Sequence, residues 1–81
     1  MIKTQDDLNK VVNRAIHDRE RIQSSPYKWA TLEIEFFTFE IIIRVTSGVT
    51  LSDGEQERAN CTRYYTMDQR GKVHVDMIAH T

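Results

Sequence analysis

One cysteine, one proline and three glycines stand in a chain of 81 residues. The lone Cys61 forms no internal disulfide, and secreted domains of this size normally depend on several bridges, so the composition fits a cytoplasmic protein. So little glycine and proline excludes a collagen-like or low-complexity chain. Basic excess is missing as well: 11 Lys and Arg against 12 Asp and Glu leave a formal charge of −1, whereas a nucleic-acid binder ordinarily carries clear positive charge to neutralise phosphates. The opening Met1-Ile2-Lys3-Thr4-Gln5-Asp6-Asp7 turns polar at once, which points away from a signal peptide and a membrane span. There is no phosphate-cradling glycine loop and no framed pair of catalytic carboxylates, so no cofactor is expected.

What the chain does contain, 40% hydrophobic and 28% charged residues, is ordinary for a soluble globular protein. Its length suits a single domain over residues 1–81 and is too short for two.

From Thr4 to Ile22 the apolar residues Leu8, Val11, Val12, Ala15, Ile16 and Ile22 recur at offsets of three and four, predicting an amphipathic helix over about 4–24. Thr4 followed by Asp7 has the form of an N-terminal cap, each side chain accepting from a backbone N–H that lacks a helical partner. Ser24-Ser25-Pro26 ends the helix, because proline pushes its predecessor out of helical geometry. The period then changes to two. Ala30, Leu32, Ile34 and Phe36 alternate with polar residues, as do Phe39, Ile41, Ile43 and Val45. Four strands are predicted, at about 29–36, 39–51, 56–67 and 72–79. The fold class is therefore α+β, an N-terminal helix packed on one face of an antiparallel β-meander.

Turn chemistry sets the expected registers. Phe37-Thr38 is a poor turn, so a hairpin there competes with one long bulged strand. Asp53-Gly54 is a better hairpin signal and would set Ile43 opposite Tyr64, a short helix from Ser52 being the competing reading. Asp68-Gln69-Arg70-Gly71, with Gly71 left-handed, would set Met67 opposite Lys72. These registers give one inner face of Leu32, Ile34, Phe36, Phe39, Ile41, Ile43, Val45, Tyr64, Val73, Val75 and Met77. A four-stranded sheet with one helix to cover it predicts a homodimer.

The outer face is where a partner is expected. In these registers it carries Ile42, Arg44, Arg63, Tyr65, His74, Asp76 and Ile78, an apolar centre with a charged rim of the kind that binds proteins. Arg44 directly across from Arg63 sets like charges together, which is unfavourable unless the register differs or something acidic binds there. His74, Asp76 and His80 alternate on the last strand, but no Cys or His cluster completes a tetrahedral set, and no metal site is expected. Arg63, Tyr65 and His74 resemble the trios of small bacterial ribonuclease toxins, without the positive charge that holds RNA. Double-stranded-RNA-binding domains close with a second, basic helix; here Lys72 to His80 alternates as a strand instead.

The expected function is a small non-enzymatic protein-interaction module, such as a phage- or prophage-encoded modulator or inhibitor of a host enzyme or defence complex. The alternatives are a nucleic-acid-associated regulator using Arg44, Arg58, Arg63, Arg70 and Lys72, and a small ribonuclease-type toxin.

Overall fold

The structure, a computed structural model, describes residues 1–51 and 56–80. One helix, α1 (Gln5–Gln23), precedes four strands: β1 (Lys28–Phe36), β2 (Ile41–Thr50), β3 (Gln56–Met67) and β4 (Val73–Ala79). The strands form one antiparallel sheet in the order β1-β2-β3-β4. The helix packs on one face of this sheet, which is the α+β arrangement that the periodicity predicts.

The helix begins where its cap chemistry places it. Thr4 Oγ1 accepts from Asp7 N at 3.1 Å and Asp7 Oδ2 accepts from Thr4 N at 3.2 Å, a reciprocal capping box. Its apolar stripe buries Val11 and Ala15 against Ala30, Ile43, Val45, Tyr65 and Met67. Lys10 Nζ donates to Gly71 O at 2.7 Å and Gln23 Nε2 to Ala30 O at 2.7 Å, tying one half of the helix to the β3–β4 loop and the other to β1. Contacts are densest with β1 and thinnest with β4, so the helix lies over one side of the sheet rather than its middle.

Three registers differ from those expected. β1 and β2 pair with Ile34 opposite Ile43 and Phe36 opposite Ile41, two positions beyond the expected register. A shift of two keeps every side chain on its face, so Leu32, Ile34, Ile41, Ile43 and Val45 still face the helix. Phe39 does not. It falls in the connection, which Phe37 N closes by donating to Glu40 O at 2.8 Å, and is 99% exposed.

Between β2 and β3 the shift is one over Ile43–Ser47, and the register changes twice, once on either side of Gly48. Gly48 pairs with Ala59, but Ser47 pairs with Cys61, so Asn60 is an extra residue in β3. Such a bulge reverses the phase of everything beyond it. Ile43 meets Tyr65 and Val45 meets Arg63, so Tyr65, expected outside, is buried beneath the helix, and Tyr64, expected inside, lies on the outer face. The Asp53-Gly54 turn lies outside the described residues.

Between β3 and β4 the shift is again one. Asp68 N donates to Lys72 O at 2.9 Å, leaving a three-residue loop in which Gly71 takes φ +80° as expected. Tyr65 therefore faces Val75 and Met67 faces Val73. The two single-residue shifts cancel, which returns Val73, Val75 and Met77 to the inner face and His74, Asp76 and Ile78 to the outer one. Met77 is nevertheless 62% exposed, because the helix makes its thinnest contact with β4.

Trp29 braces the bulged region. Its indole lies on the outer face over Gly48, where an added Cβ would stand 2.6 Å from Cζ2, and Nε1 donates to Glu57 O at 3.1 Å on the far side of β2. Only glycine leaves that path open.

Candidate functional site

The outer face was the expected docking surface, and five of its seven residues are there: Ile42, Arg44, His74, Asp76 and Ile78. Arg63 and Tyr65 are not. The Asn60 bulge turns both toward the helix, where Arg63 donates to Ser47 Oγ at 3.3 Å and Tyr65 OH to Asp18 Oδ2 at 2.9 Å. Tyr65 is 2% exposed, so it contacts no partner of the folded chain. Burial, and then the hydrogen bond to Asp18, raises its phenol well above the ordinary value.

The same bulge removes the opposition of Arg44 and Arg63. Arg44 pairs with Glu33 in β1 and Tyr64 in β3. Its guanidinium donates to Glu33 Oε2 at 2.9 Å and forms a second, close ion pair with Glu35. The Glu33 hydrogen bond leads the effects that raise its pKa. With two carboxylates of its own, Arg44 needs no acidic ligand.

The histidines of the last strand are engaged locally. His74 Nε2 lies 2.7 Å from Asp68 Oδ2, and His80 Nε2 lies 2.6 Å from Thr62 Oγ1. Among the described residues no group of three His, Cys, Asp or Glu side chains is placed to hold a metal ion. The trio Arg63, Tyr65 and His74 is divided between the two faces of the sheet, so it cannot position one substrate. The basic set of the nucleic-acid alternative is divided in the same way: Arg63 faces the helix while Arg44 lies outside between two glutamates.

The exposed apolar surface concentrates elsewhere, at the end of the sheet where β1 turns into β2. The chain has three phenylalanines, and all of them stand there: Phe36, Phe37 and Phe39, at 68%, 54% and 99% exposure. None is in the core. Beside them opens a cleft of about 640 Å³ whose walls include Met1, Ile2, Ile41 and Met67. The Met1 ammonium closes one side by bonding to Met67 O and, at 2.8 Å, to Asp68 O. Phe36 and Phe39 had been expected in the inner face. The sequence signal for the exposure of Phe39 is the Phe-Phe-Thr-Phe-Glu run itself: a chain reversal has to fall within it, and whatever occupies the reversal is left outside the ladder. Phe36 keeps its place in the ladder opposite Ile41, at the very end of β1.

No family model, curated protein or solved structure matches the chain. No helix among the described residues is long and apolar enough to cross a membrane.

Proposed function

We propose that this chain is a non-enzymatic protein-interaction module that docks through the phenylalanine-bearing end of the β1–β2 hairpin. The observation that carries the proposal is the placement of Phe36, Phe37 and Phe39. Exposing every phenylalanine of a small chain on one projecting end costs water contact with large apolar rings, and such anchors are the residues that dominate binding when they fill a partner's pocket. The beneficiary is a protein surface with an apolar pocket and a neutral or basic rim. Glu40 lies within the tip and no Lys or Arg lies between Phe36 and Ile41, a charge pattern that disfavours nucleic acid and anionic lipid. The outer-face patch of Ile42, Tyr64 and Ile78 is a second, smaller contact region under this reading. A phage- or prophage-encoded modulator of a host enzyme or defence complex is one instance of such a module.

The test compares affinity capture by the wild-type chain and by a Phe37→Ser, Phe39→Ser chain, followed by binding measurements with the purified captured protein. The expected result is a partner held by the wild type and released by at least tenfold weaker binding in the variant, with unchanged circular dichroism. Equal binding by both chains overturns the proposal. So does association of the wild type with anionic vesicles or RNA in place of any protein.

A further inference from the structure

The two edges of the sheet are not equivalent, and the difference concerns a second copy of this chain. In β1, Thr50 N donates to Tyr27 O and Phe37 N to Glu40 O, so the odd-numbered residues bond to β2 and the even-numbered ones direct their N–H and C=O groups away from the sheet. One of those outward carbonyls, Ala30 O, accepts the Gln23 side chain at 2.7 Å. The helix also leans over this side of the sheet. The start of the β1 edge is guarded, at Ala30 O and at Lys28 N, which donates to Ser25 O.

The β4 edge has no such guard. Asp68 N donates to Lys72 O and His80 N to Asn60 O, so the even-numbered residues bond to β3 and Val73, Val75, Met77 and Ala79 point their backbone groups outward. Among the described residues no hydrogen bond reaches those groups from outside the strand. β4 contains no proline and no lysine, the two residues that most often blunt an edge. Its inner face is apolar and incompletely covered, with Met77 mostly in solvent.

We propose that two copies of the chain join through β4, antiparallel about a two-fold axis at Val75, into one continuous sheet. The register follows from the side chains. With Val75 opposite its own copy, Val73 faces Met77 of the second chain on the inner side, and His74 faces Asp76 on the outer side, twice over by symmetry. Lys72 lies diagonally beside the same Asp76. All outward backbone groups of Val73, Val75 and Met77 are then paired with each other. Moving the axis to Asp76 opposes two carboxylates, and moving it to His74 opposes two imidazoles and shortens the overlap. A two-fold contact of this kind is closed, and it uses the β4 edge of both chains. The interface uses the opposite edge from β1 and does not rest on the phenylalanine tip.

Sedimentation equilibrium at micromolar concentration tests the proposal, with single-chain and two-chain masses as the readout. The expected result is the mass of two chains for the wild type. Asp76→Lys sets cations against His74 and Lys72 of the second copy, and His74→Glu sets carboxylates against Asp76. Each variant alone should weaken dimerisation at least tenfold, and mixing the two should restore a heterodimer, since each then offers the charge that the other lacks. A Val75→Cys chain made in a Cys61→Ser background should crosslink to itself on oxidation, because directly opposed Cα atoms in such a pair lie about 5.5 Å apart, within disulfide reach. Trp29 emission and circular dichroism verify that each variant is folded. A single-chain mass for the wild type overturns the proposal. A dimer indifferent to both charge changes, with no crosslink through position 75, overturns it equally.

Discussion

The Tyr65 hydroxyl donates to Asp18 Oδ2 at 2.9 Å, joining β3 to the helix across a separation of 47 residues. Asp18 is 3% exposed, and its other oxygen lies 3.4 Å from Arg14 Nε and 3.9 Å from Arg21. A carboxylate so buried requires partners, since burying an unpaired charge is far more costly than any single hydrogen bond returns. Tyr65 supplies the partner from the sheet, and the two arginines supply charge from the helix itself.

Tyr65→Phe keeps the ring and removes that donor. The expected loss is about 1.5–3 kcal/mol, the range for hydrogen bonds to charged groups, read as a lower midpoint in urea with an unchanged slope. A double-mutant cycle with Asp18→Ala should give a coupling above about 0.5 kcal/mol. Additive effects would mean that the two groups do not act as a pair.

Alkaline stability follows from the same bond. The folded phenol is raised above its ordinary value of 10.0, first by burial and then by Asp18. Unfolded chains therefore release the Tyr65 proton before folded ones do. Its contribution is complete below pH 10 and declines as pH rises toward the folded value. Thermal melts between pH 9 and about 11 should fall more steeply for the wild type than for Tyr65→Phe.

Gly48→Ala tests the bulged region. The new methyl would stand 2.6 Å from Trp29 Cζ2 and 2.7 Å from Cε2, so the indole has to leave its place and Nε1 loses Glu57 O. A cost of about 1–3 kcal/mol is expected, as for other overpacked sites. Trp29 is the only tryptophan, so a red-shifted emission reports its displacement directly. Unchanged emission would contradict the stacked geometry.

Asp68 should titrate near the bottom of the accessible range. Its carboxylate is pushed down to about 2, chiefly by the hydrogen bond to His74, then by the backbone N–H groups of Lys72 and Arg70. A depressed carboxylate stabilises the fold above its unfolded value of 3.8 and ceases to do so as pH falls through about 2. Carboxyl NMR titration should place Asp68 below its ordinary value of 3.8, and His74→Ala should move it upward.

Phe39→Ser and Ile43→Ala should separate docking from folding. Phe39 is almost wholly in solvent and Ile43 is 1% exposed. The first change should leave stability within about 0.5 kcal/mol, and the second should lower it by about 2–5 kcal/mol. A large loss for Phe39→Ser would mean that the tip supports the fold.

Side-chain periodicity reads each element separately, and it read these well. Thr4 and Asp7 announced the helix cap, Ser24 to Pro26 its end, and Gly71 the left-handed position in the last loop. The inner and outer sets within β1, β2 and β4 were also legible. The phase of β3 was not, because alternation is unchanged when a whole strand is turned over: Tyr64 and Tyr65 are the same residue type side by side, and Arg63 fits either face by its aliphatic stem. One warning was present. Arg44 opposite Arg63 was an unfavourable pairing, and a register one residue away resolves it.

By itself, then, the sequence determined the element types, their order, the helix boundaries and the apolar face of three strands, since these depend on local spacing and on caps and turns a few residues long. Only the tertiary structure decided which face of β3 meets the helix, that Phe36 and Phe39 stand in solvent, and that the β1 edge is capped at its start while the β4 edge is open. Those outcomes depend on where Asn60 is accommodated, how far the helix is displaced toward β1, and what Asp18 finds for a partner. Each is a balance among residues distant in the chain, and no local pattern records it.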